Sequence, residues 1–451
     1  MTVARSLAAF LTQVSYAELP PQTIEHAAML IASTIASAAM GSGLTSSTIM
    51  RALARERGGR PEASIWFDTG PKLLVADAAQ VNAVMSDGAA SDDSDLRNIV
   101  HTGTTLASTS LAMAEQTGAS GQDVLAAIVL GYEAAGRIGA AITPAFRQRG
   151  FHGCLVAIFG GAVATARLLG LDAAHMAQAI ALSATSIGGL AAAANTSVAR
   201  EYHAGLAAML GIHATLAAQR GYVAEDSILE TRQGFCEVYG GTDGESVTRD
   251  LGQAWDIVTD MAIKLVPGGH PSHALAEAAA NAARAGNIAP DDVETITLSR
   301  PGVTALSGPL HPTDLIDMAH SPAYFLAAGV ADKDFSWVHA TEAKITDPVI
   351  HQLLDKVRVG APPTDNAERY QQGATVTIRT KDGRTFSNTV YAPKGAGVRG
   401  VDWVDVDAKY RTLVPKAPVS DRQVEESLKV IHDFRHVKHV SALTDLLHKD
   451  S

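Results

Sequence analysis

The chain has 451 residues, of which 47% are hydrophobic, 18% charged and only 5% aromatic, and its formal net charge is −11. This length is more than one hydrophobic core usually organises, so we expect two domains, and the composition is typical of a globular, mostly helical protein. A surface of this sign repels nucleic acid and anionic membranes, which argues against both as partners, and an anionic substrate would need a local cationic pocket.

Helices are predicted throughout residues 20–262. Apolar residues recur at helical spacing in several stretches: Pro20 to about Met40, Ala76 to Met85, and Gly121 to Ile142. The stretches 154–169 and 173–185 are almost entirely apolar or small, which predicts helices buried on most sides. Burying them takes a large bundle, either as a large monomeric core or with a subunit interface in addition.

The helical pattern ends near residue 265, in the segment VPGGHPSHA. Alternating apolar and polar residues then predict three strands: 293–300, 374–380 and 385–392. The pair Asp382-Gly383 between the last two strands predicts a hairpin. Helical stretches near 314–331 and 346–356 lie between the strands, so residues 266–400 are predicted to form a small α+β domain.

The last part of the chain, 401–451, is helical again and is predicted to return to the first domain. The predicted fold class is therefore mainly α. A large all-helical domain is built from both chain ends, 1–265 and 401–451, and the α+β domain of residues 266–400 is inserted between them.

Neither cysteine, Cys154 nor Cys236, has a CxxC or Cys/His metal spacing, which excludes a disulfide framework and fits a reducing cytoplasm. The apolar N-terminal stretch is interrupted by Gln13 and Ser15 and has no signal-peptide cleavage pattern. No apolar run reaches the ~18 residues that are needed to span a bilayer. We therefore expect a cytoplasmic protein with no membrane segment.

Motifs for common cofactors are absent from the sequence. It contains no P-loop, no GxGxxG after a strand, no HExxH and no GxSxG elbow, so we expect no cofactor. Carboxylates and imidazole bind divalent ions, and one segment offers both: Asp92, Asp93, Asp95 and His101. The alternative for this segment is a hydrogen-bonded loop, and we expect no metal.

Histidines in two segments could carry chemistry. His101 follows three acids and Arg97 in a segment between two helices, which by itself would be a solvated loop. His152 follows Gly150 and precedes an apolar helix, where free backbone N–H groups and the helix dipole favour anions. A capping histidine is the alternative there.

Cationic residues in two further segments are candidates. Arg200 and His203 lie three residues apart on one helix face, and an arginine there could grip a carboxylate with its planar fork. A surface pair with Glu201 or another acid is the alternative. Lys264 lies in an apolar context, followed by His270 and His273, and burial could make it a base. The alternative is a snorkelling lysine at a helix end.

Together, these segments resemble the MmgE/PrpD family, which includes 2-methylcitrate dehydratases, cis-aconitate decarboxylases and iminodisuccinate epimerases. The resemblance covers nearly the whole chain. Its motifs are the acids Asp92 and Asp93 with His101-x-Gly103, GYEAAGRIG (131–139), GFH (150–152), REYHAG (200–205), the Lys264–Pro267 turn, SPAYFLAAGV (321–330), DPVIHQLLDKVRV (347–359), and KDG followed by APKG (392–395).

The resemblance implies a helical domain formed by both chain ends, an inserted α+β lid, a homodimer formed through the helical domain, and no cofactor. It also implies an active site in the cleft between domain and lid. The residues that match the family's site are Asp93, His101, His152, Arg200, Lys264 and His270.

Two positions depart from the family pattern. Many members have Thr-His after the paired acids, where this chain has Ser94-Asp95. Many have lysine three residues before the histidine of the HxG segment, where this chain has Arg200. Arginine is a poor proton donor, because its pKa exceeds about 12, but it is a better carboxylate clamp. This favours a reaction in which one proton is taken and returned.

The sequence therefore predicts a cofactor-independent epimerase of the iminodisuccinate type, which acts at a carbon beside a carboxylate of a small polycarboxylate. Fixed cations would stabilise the enediolate charge. Lys264 and either His101 or His152 would be the acid and base, and Asp93 belongs to the same catalytic set. Arg200, His203 and His270 would bind substrate. The alternatives are a lyase of the same family and a non-catalytic polycarboxylate-binding protein.

Overall fold

The computed structural model describes residues 1–186, 188–396 and 399–448. They divide into two units. The first contains Met1–Ile263 and Asp402–Ser451, and the second contains Lys264–Val401. Helices predominate and strands are few and short, so the prediction of a mainly α fold with a small sheet is confirmed.

The first unit is almost entirely helical. Its elements are α1 Val3–Gln13, α2 Pro21–Gly41, α3 Thr45–Arg57, α4 Val75–Gly88, β1 Asp93–Asp95, α5 Thr102–Thr117, α6 Gly121–Ile142, α7 Ala145–Gln148, α8 Cys154–Leu168, α9 Ala173–Ala184, α10 Ala191–Thr196, α11 Ala199–Gln219, α12 Phe235–Gly240, α13 Asp256–Thr259 and β2 Met261–Ile263. The next stretch of the chain, Lys264–Val401, forms the second unit. The chain then returns to the first unit with α19 Trp403–Leu413, α20 Asp421–His432 and α21 Ser441–Thr444.

Close packing of α6, α8 and α11 depends on residues without bulky side chains. A Cβ atom added at Gly131 of α6 would lie 2.7 Å from the carbonyl oxygen of Gly160 on α8, and one added at Gly211 of α11 would lie 2.8 Å from the backbone nitrogen of Ala162. Both distances are too short for carbon, so these helices touch backbone to backbone. This explains why residues 154–169 carry so few large side chains.

Two helices of this unit, Pro21–Gly41 and Gly121–Ile142, are long and apolar enough to cross a membrane. The sequence prediction concerned uninterrupted apolar runs, and polar or small residues interrupt such runs inside both helices without ending the helix. However, 83% and 89% of their apolar windows are buried inside the structure. Such burial is typical of core helices in a soluble protein.

The strands β1 and β2 form a two-stranded antiparallel ladder in which Asp93 pairs with Ile263 and Asp95 with Met261. The sequence predicted helices or loop here, because three-residue strands are too short to show alternation. The C-terminal α19 packs against α2. Its buried Lys409 donates to the Ser33 hydroxyl at 2.7 Å and to the Ser91 carbonyl, just before the acids at 92 and 93.

The second unit packs helices on one face of a four-stranded sheet. Its elements are α14 His273–Ala285, β3 Val293–Ser299, α15 Leu315–Ala319, α16 Pro322–Asp332, α17 Glu342–Ile345, α18 Pro348–Leu354, β4 Val357–Val359, β5 Ala374–Thr380 and β6 Thr385–Val390. The strand order is β4-β3-β5-β6, and only the β3–β4 pair is parallel. Burial alternates along β5, as expected for a sheet with one covered face.

The hairpin between β5 and β6 forms at Asp382-Gly383, as predicted, and Gly383 has a φ of +88°. One predicted helix is wrong in extent. The stretch 314–331 is interrupted at His320 and Ser321, where Ser321 caps α16 by accepting from the backbone N–H of Tyr324. Strand β4 falls inside a stretch that the sequence did not assign.

Candidate functional site

Polar side chains converge in the first unit where several element ends meet. They come from the C-terminal end of α4, from β1, and from the N-terminal ends of α5, α8 and α11. The side chains are Asp87, Asp92, Asp93, His101, His152, Arg200 and His203. The sequence predicted all of these as site residues or site candidates except Asp87.

Asp93 holds the start of α5. Its carboxylate accepts from the backbone N–H groups of Gly103 at 2.9 Å and Thr104 at 3.3 Å, and from the Tyr132 hydroxyl at 3.4 Å. Such contacts satisfy the free N–H groups of a helix N-terminus. Position 103 must be glycine, because a Cβ atom there would lie 2.8 Å from the Asp93 carboxylate. The geometry therefore assigns Asp93 a positioning role.

His101 is oriented through one ring nitrogen. Its Nδ1 lies 2.8 Å from Asp92 Oδ2 and 2.8 Å from the backbone carbonyl of Asp93. Both partners are acceptors, so Nδ1 carries the proton. Asp92 is itself fixed by the Thr104 hydroxyl at 3.2 Å. A histidine oriented by a buried carboxylate in this way is the arrangement of a general base.

His152 and His203 extend this group into a row of three imidazoles. Ring centroids are 6.4 Å apart for His101 and His152, and 5.3 Å apart for His152 and His203. Burial lowers the pKa of His152 well below its ordinary value, and the nearby His101, His203 and Arg200 side chains lower it further. Burial also lowers the pKa of His203, although Asp87 opposes this shift. Both rings are therefore neutral at physiological pH.

Gly189 leaves space for the His203 ring, and the sequence did not predict this role of Gly189. A Cβ atom at this position would lie 2.0 Å from the His203 ring. The Gly189 carbonyl also accepts from the backbone N–H of His152 at 2.8 Å. Two consecutive glycines, Gly188 and Gly189, stand out in an alanine-rich stretch. At Gly189, the absence of a side chain lets the His203 ring approach the backbone closely.

Arg200 is buried and paired with Asp87. Its Nε donates to Asp87 Oδ2 at 2.8 Å and its Nη2 to the Asp87 carbonyl at 2.6 Å, and only 11% of its side chain is exposed. Burial lowers the pKa of Arg200, but the charges of Asp87, Asp92 and Glu201 outweigh burial and raise it above its ordinary value. Arg200 is thus a fixed cation that cannot exchange a proton.

Arg200 pairs with another acid, as the alternative reading of the sequence allowed, but the pair is buried and not on the surface. It is neither a surface pair nor a pair with Glu201, whose carboxylate instead accepts from the Ser46 hydroxyl at 2.9 Å. One edge of the guanidinium is already committed to Asp87, so the fork predicted for a substrate carboxylate is reduced to Nη1. Asp87 was missed because it is 113 residues away in the chain.

Three acceptors in this group are close enough to hold a metal ion. The ligand atoms of Asp87, Asp92 and His101 lie within 4.8 Å of one another. This differs from the set considered from the sequence, since Asp93 caps α5 and Asp95 points elsewhere. Asp87 already pairs with the Arg200 guanidinium and Asp92 with the His101 ring. Asp87 and Asp92 are therefore already engaged by side chains of the protein.

Asp95 belongs to a separate acidic cluster. Its Oδ1 accepts from the backbone N–H groups of Arg97 and Asn98, both at 2.9 Å. Burial raises the pKa of Asp95 to about 7, against the smaller opposing effects of these bonds and of the Arg97 charge. Burial and the charge of Glu133 raise the pKa of the neighbouring Asp256 to about 8.

The raised pKa of Asp95 predicts that the protein loses stability as the pH rises from about 4 to 7. Between about pH 4 and 7 the folded state keeps a proton on Asp95 that the unfolded state has released, so the unfolding free energy falls as pH rises through this window. Each pKa unit corresponds to roughly 1.4 kcal/mol. Urea unfolding at pH 5 to 8 should show this slope, and Asp95→Asn should reduce it. An unchanged slope in the variant would contradict the assignment.

Two predicted site residues lie in the second unit. Lys264 directly follows β2 and is buried. His270 and His273 stack with ring centroids 4.8 Å apart. Burial, followed by the charges of His270 and Lys264, lowers the pKa of His273 well below its ordinary value. His273 is therefore a neutral ring beside the other two groups.

Comparisons with known proteins give consistent matches over most of the chain. Residues 5–247 match the MmgE/PrpD N-terminal domain, and residues 267–433 match the MmgE/PrpD C-terminal domain. The human cis-aconitate decarboxylase is 27% identical over 337 residues, which are 73% of this chain and 69% of that protein. A cis-aconitate decarboxylase from Aspergillus terreus (strain NIH 2624 / FGSC A1156) is 28% identical over 463 aligned residues. The alignment covers 95% of this chain and 91% of that protein.

Proposed function

Because this chain belongs to the MmgE/PrpD family, we propose that it is a cofactor-independent lyase that acts on a small polycarboxylate, with decarboxylation as its reaction. The sequence alone favoured an epimerase. The relatives reported above are named cis-aconitate decarboxylases, and they support the lyase alternative better than the epimerase.

The observation that carries the proposal is the oriented His101 beside a buried cation. A polycarboxylate substrate needs a positive charge to hold a carboxylate, and a bond cleavage that leaves an electron pair on carbon needs a group that transfers one proton. Arg200 supplies the first, and His101, held through Nδ1 by Asp92, supplies the second. The neutral rings of His152 and His203 can each donate one hydrogen bond to a further carboxylate oxygen.

In the proposed reaction, the bond between a substrate carbon and one carboxylate breaks and carbon dioxide leaves. The electron pair remains on the substrate, where it is delocalised into an adjacent unsaturated carboxylate. That charge is stabilised by fixed donors and cations, which is commonly the largest contribution to catalysis. A proton then forms the new C–H bond. We assign its delivery to Lys264 or His101, and the binding of the retained carboxylates to Arg200, His203 and His270.

Nuclear magnetic resonance in D2O tests the proposal. The purified protein is incubated with cis-aconitate and related di- and tricarboxylates. Release of carbon dioxide with one deuterium in the product supports the decarboxylase. Deuterium uptake with inversion, and no loss of carbon, would instead establish an epimerase. Binding without any reaction would indicate a non-catalytic polycarboxylate-binding protein.

An epimerase remains the second candidate. The pKa of Arg200 is raised, so it holds charge but transfers no proton, at a position where many family members have a lysine. Either reaction can use Arg200 as a fixed cation. Epimerisation needs two proton-transfer groups, for which Lys264 with His101 or His152 would suffice, whereas the decarboxylation described above needs only one.

Lys264→Ala is expected to lower kcat by ~10² or more, the usual scale for a general acid or base. Lys264 is buried and immediately follows β2, the strand that pairs with β1 at Asp93. Steady-state kinetics should show the loss, and circular dichroism should show a folded protein. Activity within a few-fold of wild type would remove Lys264 from the mechanism.

Prolonged treatment with EDTA is expected to leave the turnover unchanged, because Asp87 and Asp92 are already engaged by the Arg200 guanidinium and the His101 ring. Rates are measured before and after dialysis, with metal analysis of each sample. A loss that one divalent ion restores would show that Asp87, Asp92 and His101 form a catalytic metal site.

Homodimerisation through the helical unit and a cytoplasmic location are also part of the proposal. Leu190, Val198 and Tyr202 are apolar or aromatic and about half or more exposed around α10 and the start of α11, which suits a subunit interface. Both cysteines are buried free thiols, as suits a reducing compartment. Light scattering after size exclusion would measure the mass in solution.

A further inference from the structure

Two histidines of the second unit face each other at its surface. His311 lies between β3 and α15, and His351 lies on α18. Their Nδ1 atoms are 3.2 Å apart, and their rings stack with centroids 5.3 Å apart. The side chain of His311 is 43% exposed, so water and small ions reach the pair. No step of the proposed reaction uses either residue.

The opposite nitrogen of each ring is bound to a group that can only accept. His311 Nε2 lies 3.0 Å from Asp355 Oδ1, and His351 Nε2 lies 2.8 Å from the carbonyl oxygen of Ile345. Carboxylates and carbonyls have no proton to donate, so each Nε2 carries the hydrogen and each Nδ1 keeps a lone pair. Two lone pairs facing each other at 3.2 Å repel unless a positive charge lies between them.

We propose that His311 and His351 bind one divalent transition-metal ion of the zinc class through both Nδ1 atoms. Zinc binds imidazole nitrogen at about 2.0–2.1 Å in a tetrahedral arrangement. This geometry separates two ligand nitrogens by about 3.4 Å, a few tenths of an ångström more than the observed distance. Small ring rotations therefore convert the pair into two adjacent corners of a metal site.

The surroundings of both rings are those of metal-binding histidines. Such histidines usually donate their second N–H to a carboxylate or a backbone carbonyl, which fixes the tautomer and the ring orientation. Asp355 and Ile345 provide one of each. Imidazole ligands favour zinc, copper and nickel over magnesium and calcium, and water can fill the remaining positions. The bound ion would tie the segment between β3 and α15 to α18.

Titration calorimetry with zinc chloride tests the proposal on full-length protein that has first been stripped with EDTA. One ion should bind per chain. His311→Ala and His351→Ala should each abolish this binding, and Asp355→Asn should weaken it by ~10–100-fold, the usual effect of losing a carboxylate behind a ligand. His175→Ala is the matched control, because His175 is an exposed histidine paired with Asp172 in the first unit, and it should bind normally.

A second readout identifies the ligands. With copper(II) in place of zinc, electron paramagnetic resonance should show coupling to two nitrogen atoms in wild type and to fewer in His351→Ala. Three results would overturn the proposal. The ion could still bind in the His311→Ala/His351→Ala double variant, as it would if Asp87, Asp92 and His101 held it. Asp355→Asn could bind as tightly as wild type. Zinc could fail to bind at pH 7.5, which would leave a shared proton as the charge between the rings.

Discussion

His101→Asn is expected to lower kcat by ~10²–10⁴, the range that positioned acid–base groups contribute. His101 is buried apart from 12% of its side chain, and its Nδ1 is fixed by Asp92 at 2.8 Å. Asparagine keeps a polar side chain at the start of α5 but has no group that takes up a proton near neutral pH. The loss should therefore appear in kcat, measured under saturating substrate, and KM should change less.

Asp92→Asn tests the same pair from the other side. An amide can present its N–H₂ group to Nδ1, which favours the ring tautomer with the proton on Nε2 and removes the base. If the two residues act as a unit, the double variant should be little worse than His101→Asn alone. His175→Asn provides the control, because His175 and Asp172 form a similar pair at 2.7 Å on the surface, and it should leave kcat unchanged.

Two outcomes would remove His101 from the reaction. In one, His101→Asn retains activity within a few-fold of wild type. In the other, activity falls only in proportion to a loss of folded protein, as circular dichroism would show, which would mean that the pair only fastens β1 to α5. Reduced kcat with an unchanged unfolding midpoint is the result that supports the proposal.

Local sequence patterns predicted the helices and the hairpin well, because both are specified by neighbouring residues. The apolar periodicity of residues 121–142 gives α6 with the same bounds, and Asp382-Gly383 gives the turn between β5 and β6. The pairing of β1 with β2 could not be predicted in this way. It joins residues 93–95 to residues 261–263, and three residues are too few to show alternation.

The site shows the same division between local and distant information. The motif segments identified His101, His152, Arg200 and His203 as candidates, but their partners are set by the tertiary fold. Asp87 ends α4 without any motif of its own, and it reaches Arg200 only because α4 packs against α11. A carboxylate without a local partner in an apolar helix was the available signal, since buried charges are almost always paired.

Arg200→Lys is the second variant with a large expected effect. Lysine keeps the charge but loses the planar fork, so it cannot bond the carboxylate and the backbone carbonyl of Asp87 and also reach a substrate carboxylate. We expect substrate binding to weaken by about 1–3 kcal/mol, the scale of charge-assisted hydrogen bonds. The loss should appear mainly in KM, with kcat less affected. The exposed pair of Arg411 with Glu425 is the control. Arg411→Lys should lower the free energy of unfolding by ~1 kcal/mol or less and should leave KM unchanged.

Arg200→Met separates substrate binding from structural support. It removes the charge and leaves Asp87, which is fully buried, without its cation. Removing one partner of a buried pair typically costs about 3–5 kcal/mol of stability, so urea unfolding should show a much larger loss than Arg200→Lys. Asp87→Asn in the same background should recover part of this loss, because the remaining buried group is then neutral.

The response of Arg200→Lys also distinguishes the two candidate reactions. A rise in KM alone means that Arg200 holds substrate and leaves the reaction unchanged. No change in either constant would mean that Arg200 only neutralises Asp87 and Asp92, which would contradict the binding role. If the lysine variant instead gains decarboxylation of cis-aconitate that the wild type lacks, the residue at position 200 selects the reaction. The native arginine would then be the feature that keeps this chain an epimerase, because a lysine restores a proton donor beside the row of neutral histidines.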